Sequence, residues 1–255
     1  MSAERVPGET VTVRGLVYGP GSLCRTDGDL SRAVTENGET RRLVAGACAT
    51  IVVGSAAYGF AFGFWRCPMQ GVYSAVKMPV LFFLTAGASG LINTMLAQLL
   101  GARLTLKQVC TAMLVGMGIA TAIMGSLSPV ALFIIAQMPG PDPAAVGRSW
   151  GDPVVMESMA MFWRILLMHV SLIGAACVIG NLRLYQLLKR LTGDARLSVR
   201  VLATWLCISG FVGCELSWLL SPFLCKPNFP AHFITRTYFQ GNFYEQIWRA
   251  LWRLL

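Results

Sequence analysis

An all-α membrane protein is the fold class this sequence predicts: a bundle of five transmembrane helices plus a C-terminal amphipathic interfacial helix. Three observations carry that prediction. Only 13% of residues are charged and 55% are hydrophobic, against about 25% charged in soluble domains, and mean hydropathy is +0.59. The apolar residues fall into charge-free blocks long enough to cross about 30 Å of hydrocarbon at 1.5 Å per helical residue. The last residues repeat apolar positions at helical spacing with aromatic and basic residues between them. Together these exclude a disordered chain, an acidic solvating tail and an ordinary soluble enzyme.

Residues 1–42 form the one long polar stretch, rich in Gly and Thr with acids and arginines mixed. They read as a mobile cytoplasmic tail. No apolar core follows the start, so a cleavable signal peptide is not expected. The bundle itself occupies 43–225. Leu43–Trp65 is the first span and Met78–Leu100 the second, with Pro79 in its first turn, where a missing N–H costs little. Val109–Met138 is the third. It is too long for one straight crossing, and Ser126–Pro129 (SLSP) predicts a kink, with the remainder tilted or near the surface. Ser158–Asn181 is the fourth and Val201–Leu224 the fifth.

Five spans put the termini on opposite sides. Arg41 and Arg42 before the first span, Arg103 and Lys107 between the second and third, and Arg183, Lys189, Arg190, Arg196 and Arg200 between the fourth and fifth share one side. Short loops rich in Lys and Arg stay in the cytoplasm, which predicts a cytoplasmic N-terminus and an extracytoplasmic tail over 226–255. In that tail Phe243, Ile247, Leu251 and Leu255 recur at fourfold spacing, with Tyr244, Trp248 and Trp252 as interfacial anchors and Glu245, Arg249 and Arg253 on another side. That pattern suits a helix lying in the headgroup region; a lid folded onto the protein is the other reading.

Charge also bounds the partners. Lys and Arg number 21 against 12 Asp and Glu, a net +9, which the basic loops beside anionic lipid account for. No arginine stripe interleaved with exposed aromatics points to nucleic acid. The expected partners are the lipid bilayer and other membrane proteins, or a second copy of this chain. The two histidines, His169 and His232, and eight scattered cysteines have no metal-ligand spacing. No metal site and no cofactor are therefore expected.

Small residues recur every fourth position at Ser55, Gly59 and Gly63; at Gly118, Ala122 and Ser126; and at Ser209, Gly213, Ser217 and Ser221. Such stripes let helices approach closely in lipid. Two charges fall inside predicted spans, Arg164 about 9 Å and Glu215 about 14 Å from the same face, with His169 at about 16 Å. Because a mid-membrane charge costs about 2.5–3.5 kcal/mol to insert, these three are the candidate polar site, either as a structural ion pair or as part of an ion pathway. Cys67 (in WRCP) and Cys225 (in FLCKP) emerge on the outer face, where a disulfide can persist; two free thiols are the alternative.

GASG (Gly87–Gly90) resembles the Gly-x-Ser-Gly box around the nucleophile of rhomboid-type intramembrane serine proteases, which would pair Ser89 with His169. No second histidine is present for the oxyanion site of such enzymes, and five spans are one short of their core. The segments YSAVKMPVLFFLT, LLGARLTLKQ, SLSPVALF, SWLLSPF and NFYEQIWRAL resemble a family of uncharacterised bacterial multi-spanning inner-membrane proteins. Span number and mixed loops are also similar, more loosely, to the Yip1-like five-span proteins. The likeness runs from about Tyr58 to the C-terminus, departing at Cys225 (Gly near that position in the family) and at GASG. It implies a bacterial inner membrane and supplies no catalytic residues. The expected function is a non-enzymatic membrane subunit or scaffold acting through helix–helix contacts. A small transporter or channel using Arg164, Glu215 and His169 is the second reading, and the Ser89/His169 protease the third.

Overall fold

The computed structural model describes residues 28–35, 37–234 and Tyr244. They form α1 (Gly28–Thr35), α2 (Asn37–Phe64), α3 (Pro68–Leu99), α4 (Leu106–Ala136), a short 3₁₀ turn (Pro143–Ala145), α5 (Pro153–Thr192) and α6 (Ala195–Leu219). Five of these, α2 to α6, are long and apolar enough to cross a membrane, so the multi-span helical fold stands. The predicted interfacial helix, with Trp248 and Trp252, lies outside the described residues.

Element boundaries differ from the sequence expectation at several points, the fifth span among them: α6 begins six residues before the predicted Val201 and ends five before Leu224. The polar tail is not wholly a tail. Leu30, Ala33 and Val34 are spaced i, i+3, i+4, so α1 buries all three in a cluster with Leu104, Leu187 and Leu188. The second span begins ten residues early: α3 starts at Pro68 with Cys67 as N-cap, so Pro79 lies in the helix interior rather than the first turn. The third block is one uninterrupted helix through Pro129. Proline leaves the carbonyl four residues back without its N–H, and Ser128 Oγ donates to the Gly125 carbonyl instead at 2.7 Å. Finally, α5 is 40 residues long, about 60 Å, and extends well past both predicted ends.

Helix ends follow local chemistry. Thr105 Oγ1 accepts from the Gln108 N–H while Gln108 Oε1 accepts from the Thr105 N–H, a reciprocal cap on α4. Asp152 caps α5 before Pro153, and Gly193 ends it at φ +70°, a conformation that favours glycine. Asp194 then caps α6 through the Arg196 N–H.

The centre of the bundle is α2 packed against α3 and α4. A Cβ on Gly54 would sit 2.2 Å from the Thr121 carbonyl oxygen of α4, and one on Gly63 2.4 Å from the Gln70 carbonyl oxygen of α3. Only glycine allows those backbones to meet. Packing by van der Waals contact is what associates helices in lipid, and this trio maximises it. In contrast α5 and α6 border the trio with less contact: 44% of the apolar window of α2 is buried, but 22% of that of α5 and 17% of that of α6.

At the end opposite α1, the segment after α6 folds back over α2 and α3. Gln70, Ser74 and Lys77, one face of α3 at i, i+4, i+7, all donate into it. Gln70 Nε2 and Lys77 Nζ reach the Pro222 carbonyl at 2.9 and 2.8 Å, and Ser74 Oγ reaches that of Phe223 at 2.5 Å. Arg66 Nη2 donates to the Phe229 carbonyl at 3.0 Å, and the Gly147 N–H to that of Asn228 at 3.0 Å. Lys77 Nζ also lies 5.0 Å from the Phe233 ring centroid.

Candidate functional site: a lateral groove between α5 and α6

The three residues picked out as a polar site are not brought together. No ion pair joins Arg164 to Glu215. Arg164 lies on the exposed side of α5 beside Trp163 and Leu167, while Ile165 and His169 on the other side are buried. One helical residue is a rotation of about 100°, which separates Arg164 from its buried neighbour. Arg164 stands at one edge of the charge-free run Ile165–Leu182, about 27 Å long, where a long basic side chain is able to snorkel. Glu215 is four residues from the end of α6 at Leu219, about 6 Å, and shallower than the predicted span, which ended at Leu224, implied. His169 is fully buried against α2: Nδ1 hydrogen-bonds Tyr58 Oη at 2.9 Å, Phe62 packs on its ring at 4.6 Å, and Nε2 has no partner.

Nor do Ser89 and His169 form a dyad. Ser89 Oγ donates to the Thr85 carbonyl at 2.5 Å and accepts from Ser209 Oγ at 3.3 Å. Asn93 Nδ2 donates to Ser209 Oγ at 3.0 Å, and Trp205 Nε1 donates to the Asn93 carbonyl at 2.9 Å. This network ties α6 to α3. The hydroxyl proposed as a nucleophile is a packing group within it.

Beside this network, α5 and α6 stand apart. They leave a groove of about 470 Å³, open on one side, floored by α3 and α4. Gly180 of α5 meets Ala120 and the Gly116 carbonyl of α4, so that helix is held at the floor. On the α6 wall are Leu202, Trp205, Leu206, Ser209, Gly210, Gly213, Cys214 and Ser217. A Cβ on Gly210 would meet nothing within 4 Å, and one on Gly213 only Thr85 at 3.6 Å. The polar groups of the lining are already engaged. Asn181 Nδ2 donates to the Cys177 carbonyl, Thr85 Oγ1 to that of Leu81 and Ser217 Oγ to that of Cys214, each at 2.8 Å. What an occupant meets is therefore hydrocarbon-like.

No family model, curated protein or solved structure matches this chain. Its site must be read from its own residues. Among the described residues, no group of three or more His, Cys, Asp or Glu side chains could hold a metal ion.

Of the remaining predicted residues, Cys67 and Cys225 lie at the end of the bundle opposite α1. Cys67 and Cys225 are free thiols. Cys225 is buried, its Sγ–H directed at the Pro230 carbonyl at 3.2 Å. Burial pushes this thiol up, against the downward pull of Arg66 and Lys77, with Cys67 also close enough to act on it. Tyr244 packs on α6: its ring stacks on Phe211 at 4.5 Å and its hydroxyl donates to the Phe211 carbonyl at 3.0 Å, about 12 Å from the end of that helix.

Sequence reasoning missed Gln70, Ser74 and Lys77 because the second span was started at Met78, which assigned Lys77 to a loop. Their i, i+4, i+7 spacing was the available signal. It also missed the groove. The Ser209–Gly213–Ser217 stripe was legible, but nothing in it says whether a neighbour fills the space.

Proposed function

We propose that this chain is a non-enzymatic integral membrane subunit or scaffold that acts by holding an apolar partner in the groove between α5 and α6. One observation carries this reading: a small-residue face that would permit close packing instead borders an open, hydrocarbon-lined groove of about 470 Å³, within the range of about 300–1,000 Å³ usual for ligand sites. The polar residues that catalysis or ion passage would need lie apart, each in a packing or rim position. The setting proposed is the bacterial inner membrane. The end bearing Arg103 and the α5–α6 loop is cytoplasmic, because short basic loops are retained there, and the C-terminus is extracytoplasmic.

A photoreactive side chain at Leu206, on the groove wall, tests it against one at Val53, which is 70% exposed on α2. A discrete adduct is expected at Leu206, absent at Val53 and suppressed by Gly210→Trp. Equal labelling at both positions, or an adduct indifferent to Gly210→Trp, overturns the reading.

A further inference from the structure

We infer that Cys67 and Cys225 form a dithiol switch. A disulfide donor converts the two free thiols into a bond that fastens the segment after α6 to the start of α3. Two contacts bracket the pair and bring its members to one place. On the α3 side, Cys67 stands between Arg66 and Gln70; after α6, Cys225 stands between Phe223 and Phe229. Arg66 Nη2 donates to the Phe229 carbonyl at 3.0 Å, and Gln70 Nε2 to that of Phe223 at 3.3 Å. Cys225 Sγ itself lies 3.9 Å from the Phe229 oxygen, so it shares an acceptor with the residue next to Cys67. Cys67 is the N-cap of α3, and its side chain takes no part in the cap.

The two thiols differ in the way an exchange pair requires. Cys67 is half-buried and within reach of a donor. Cys225 is 3% exposed, with its Sγ–H turned to the Pro230 carbonyl at 3.2 Å, so a donor in solvent does not reach it. Burial disfavours its thiolate, while Arg66 and Lys77 both favour it. Exchange runs by thiolate attack on a disulfide sulfur through a mixed disulfide. Cys67 attacks first: its sulfur bonds to one donor sulfur, the donor S–S bond breaks, and the other half leaves with the proton as a thiol. Cys225 then attacks the Cys67 sulfur and displaces the second donor half, which takes the Cys225 proton. Two protein thiols are thereby oxidised by two electrons, and one donor disulfide is reduced to two thiols. At rest both cysteines stay free, because the reachable sulfur has a partner turned toward Pro230. Once formed, the bond reinforces the hydrogen bonds from Gln70, Ser74 and Lys77 to the same segment.

The test treats the full-length folded protein in detergent with oxidised glutathione and maps its cysteines by mass spectrometry. The unaltered protein should lose two hydrogens, carry a Cys67–Cys225 bond, retain no glutathione and return to free thiols on reduction. Cys225→Ser should stop with glutathione bound to Cys67, and Cys67→Ser should leave Cys225 unmodified. The fall in thermal midpoint caused by Lys77→Leu should be reversed by oxidation, and the reversal should vanish when Cys67→Ser is added. Glutathione retained on Cys67 of the unaltered protein, a bond from Cys67 to any other cysteine, or no reaction at Cys67 overturns the switch. Glutathione on Cys225 of Cys67→Ser overturns the order of attack. Should a serine variant fail to fold, the cysteine map of the unaltered protein decides by itself.

Discussion

The α2–α3–α4 trio and the α5–α6 pair are built from the same kind of sequence and pack in opposite ways. In the trio, Gly54, Gly59 and Gly63 bring backbones so close that a Cβ would lie 2.2–2.5 Å from a carbonyl oxygen on the neighbouring helix. In the pair, Gly210 has open space and Gly213 an ordinary contact at 3.6 Å. Small residues at fourfold spacing therefore permit close approach without enforcing it. What enforces it is a partner whose own backbone is equally bare, as where Gly125 of α4 faces Gly54 across the α2–α4 contact. The wall facing Gly210 carries Ile173, Cys177 and Leu184 on α5, and a Cβ on Gly210 would reach none of them within 4 Å. The difference separates a structural core from a surface able to bind.

That contrast can be broken most sharply at its glycines. Gly54→Ala should cost about 3 kcal/mol, the upper part of the overpacking range, because the obstructing atom is backbone. Gly210→Ala should leave the thermal midpoint in place. Parallel melts of the two variants decide it, and similar losses would mean that the pair is packed like the trio. Next in size is the latch at the end opposite α1. Lys77→Leu removes the donor to the Pro222 carbonyl and should cost about 1–3 kcal/mol, releasing the segment over α3. Maleimide labelling of Cys225 in the folded protein reads this directly: slow in the unaltered protein, where burial pushes the thiol up, and fast in the variant. Labelling of unfolded protein before and after reduction, expected to be equal, checks that Cys67 and Cys225 are free thiols.

A smaller effect is expected where the pair is pinned to the trio. Trp205→Phe deletes the N–H that donates to the Asn93 carbonyl and should cost about 1 kcal/mol, with no change at Tyr58 and His169. The smallest concerns the entry to α5. The Val154 N–H, and then the Arg148 guanidinium, hold the Asp152 carboxyl below the usual aspartate range. A depressed value means that its contribution is present at neutral pH and lost as pH falls through that value. The melting difference between the unaltered protein and Asp152→Ala should thus persist at pH 6 and shrink below about pH 4.

Much of the architecture was written in the chain itself. Charge-free blocks separated by basic or Pro/Gly-rich turns determined five membrane-crossing helices, because insertion depends on the sum of side-chain transfer free energies along a segment. The first glycine stripe, in Ser55–Gly59–Gly63, also announced a close helix contact. Local sequence determined the ends as well: Thr105 with Gln108 for α4, Asp152–Pro153 for α5 and Gly193 for its termination. Tertiary structure alone decided which way each polar residue turns and what it meets. Arg164 and Ile165 are neighbours in sequence, yet one is exposed and the other lies in the core. Ser89 sits in a box that resembles a catalytic motif and serves a network reaching to Asn93 and Ser209. Lys77 donates to a carbonyl 145 residues away in the chain, that of Pro222. Rotation of a helix by a single residue, and the separation of two helices by a few side chains, depend on contacts between distant segments. No window of the sequence holds both partners, so the groove between α5 and α6 exists only in the folded bundle.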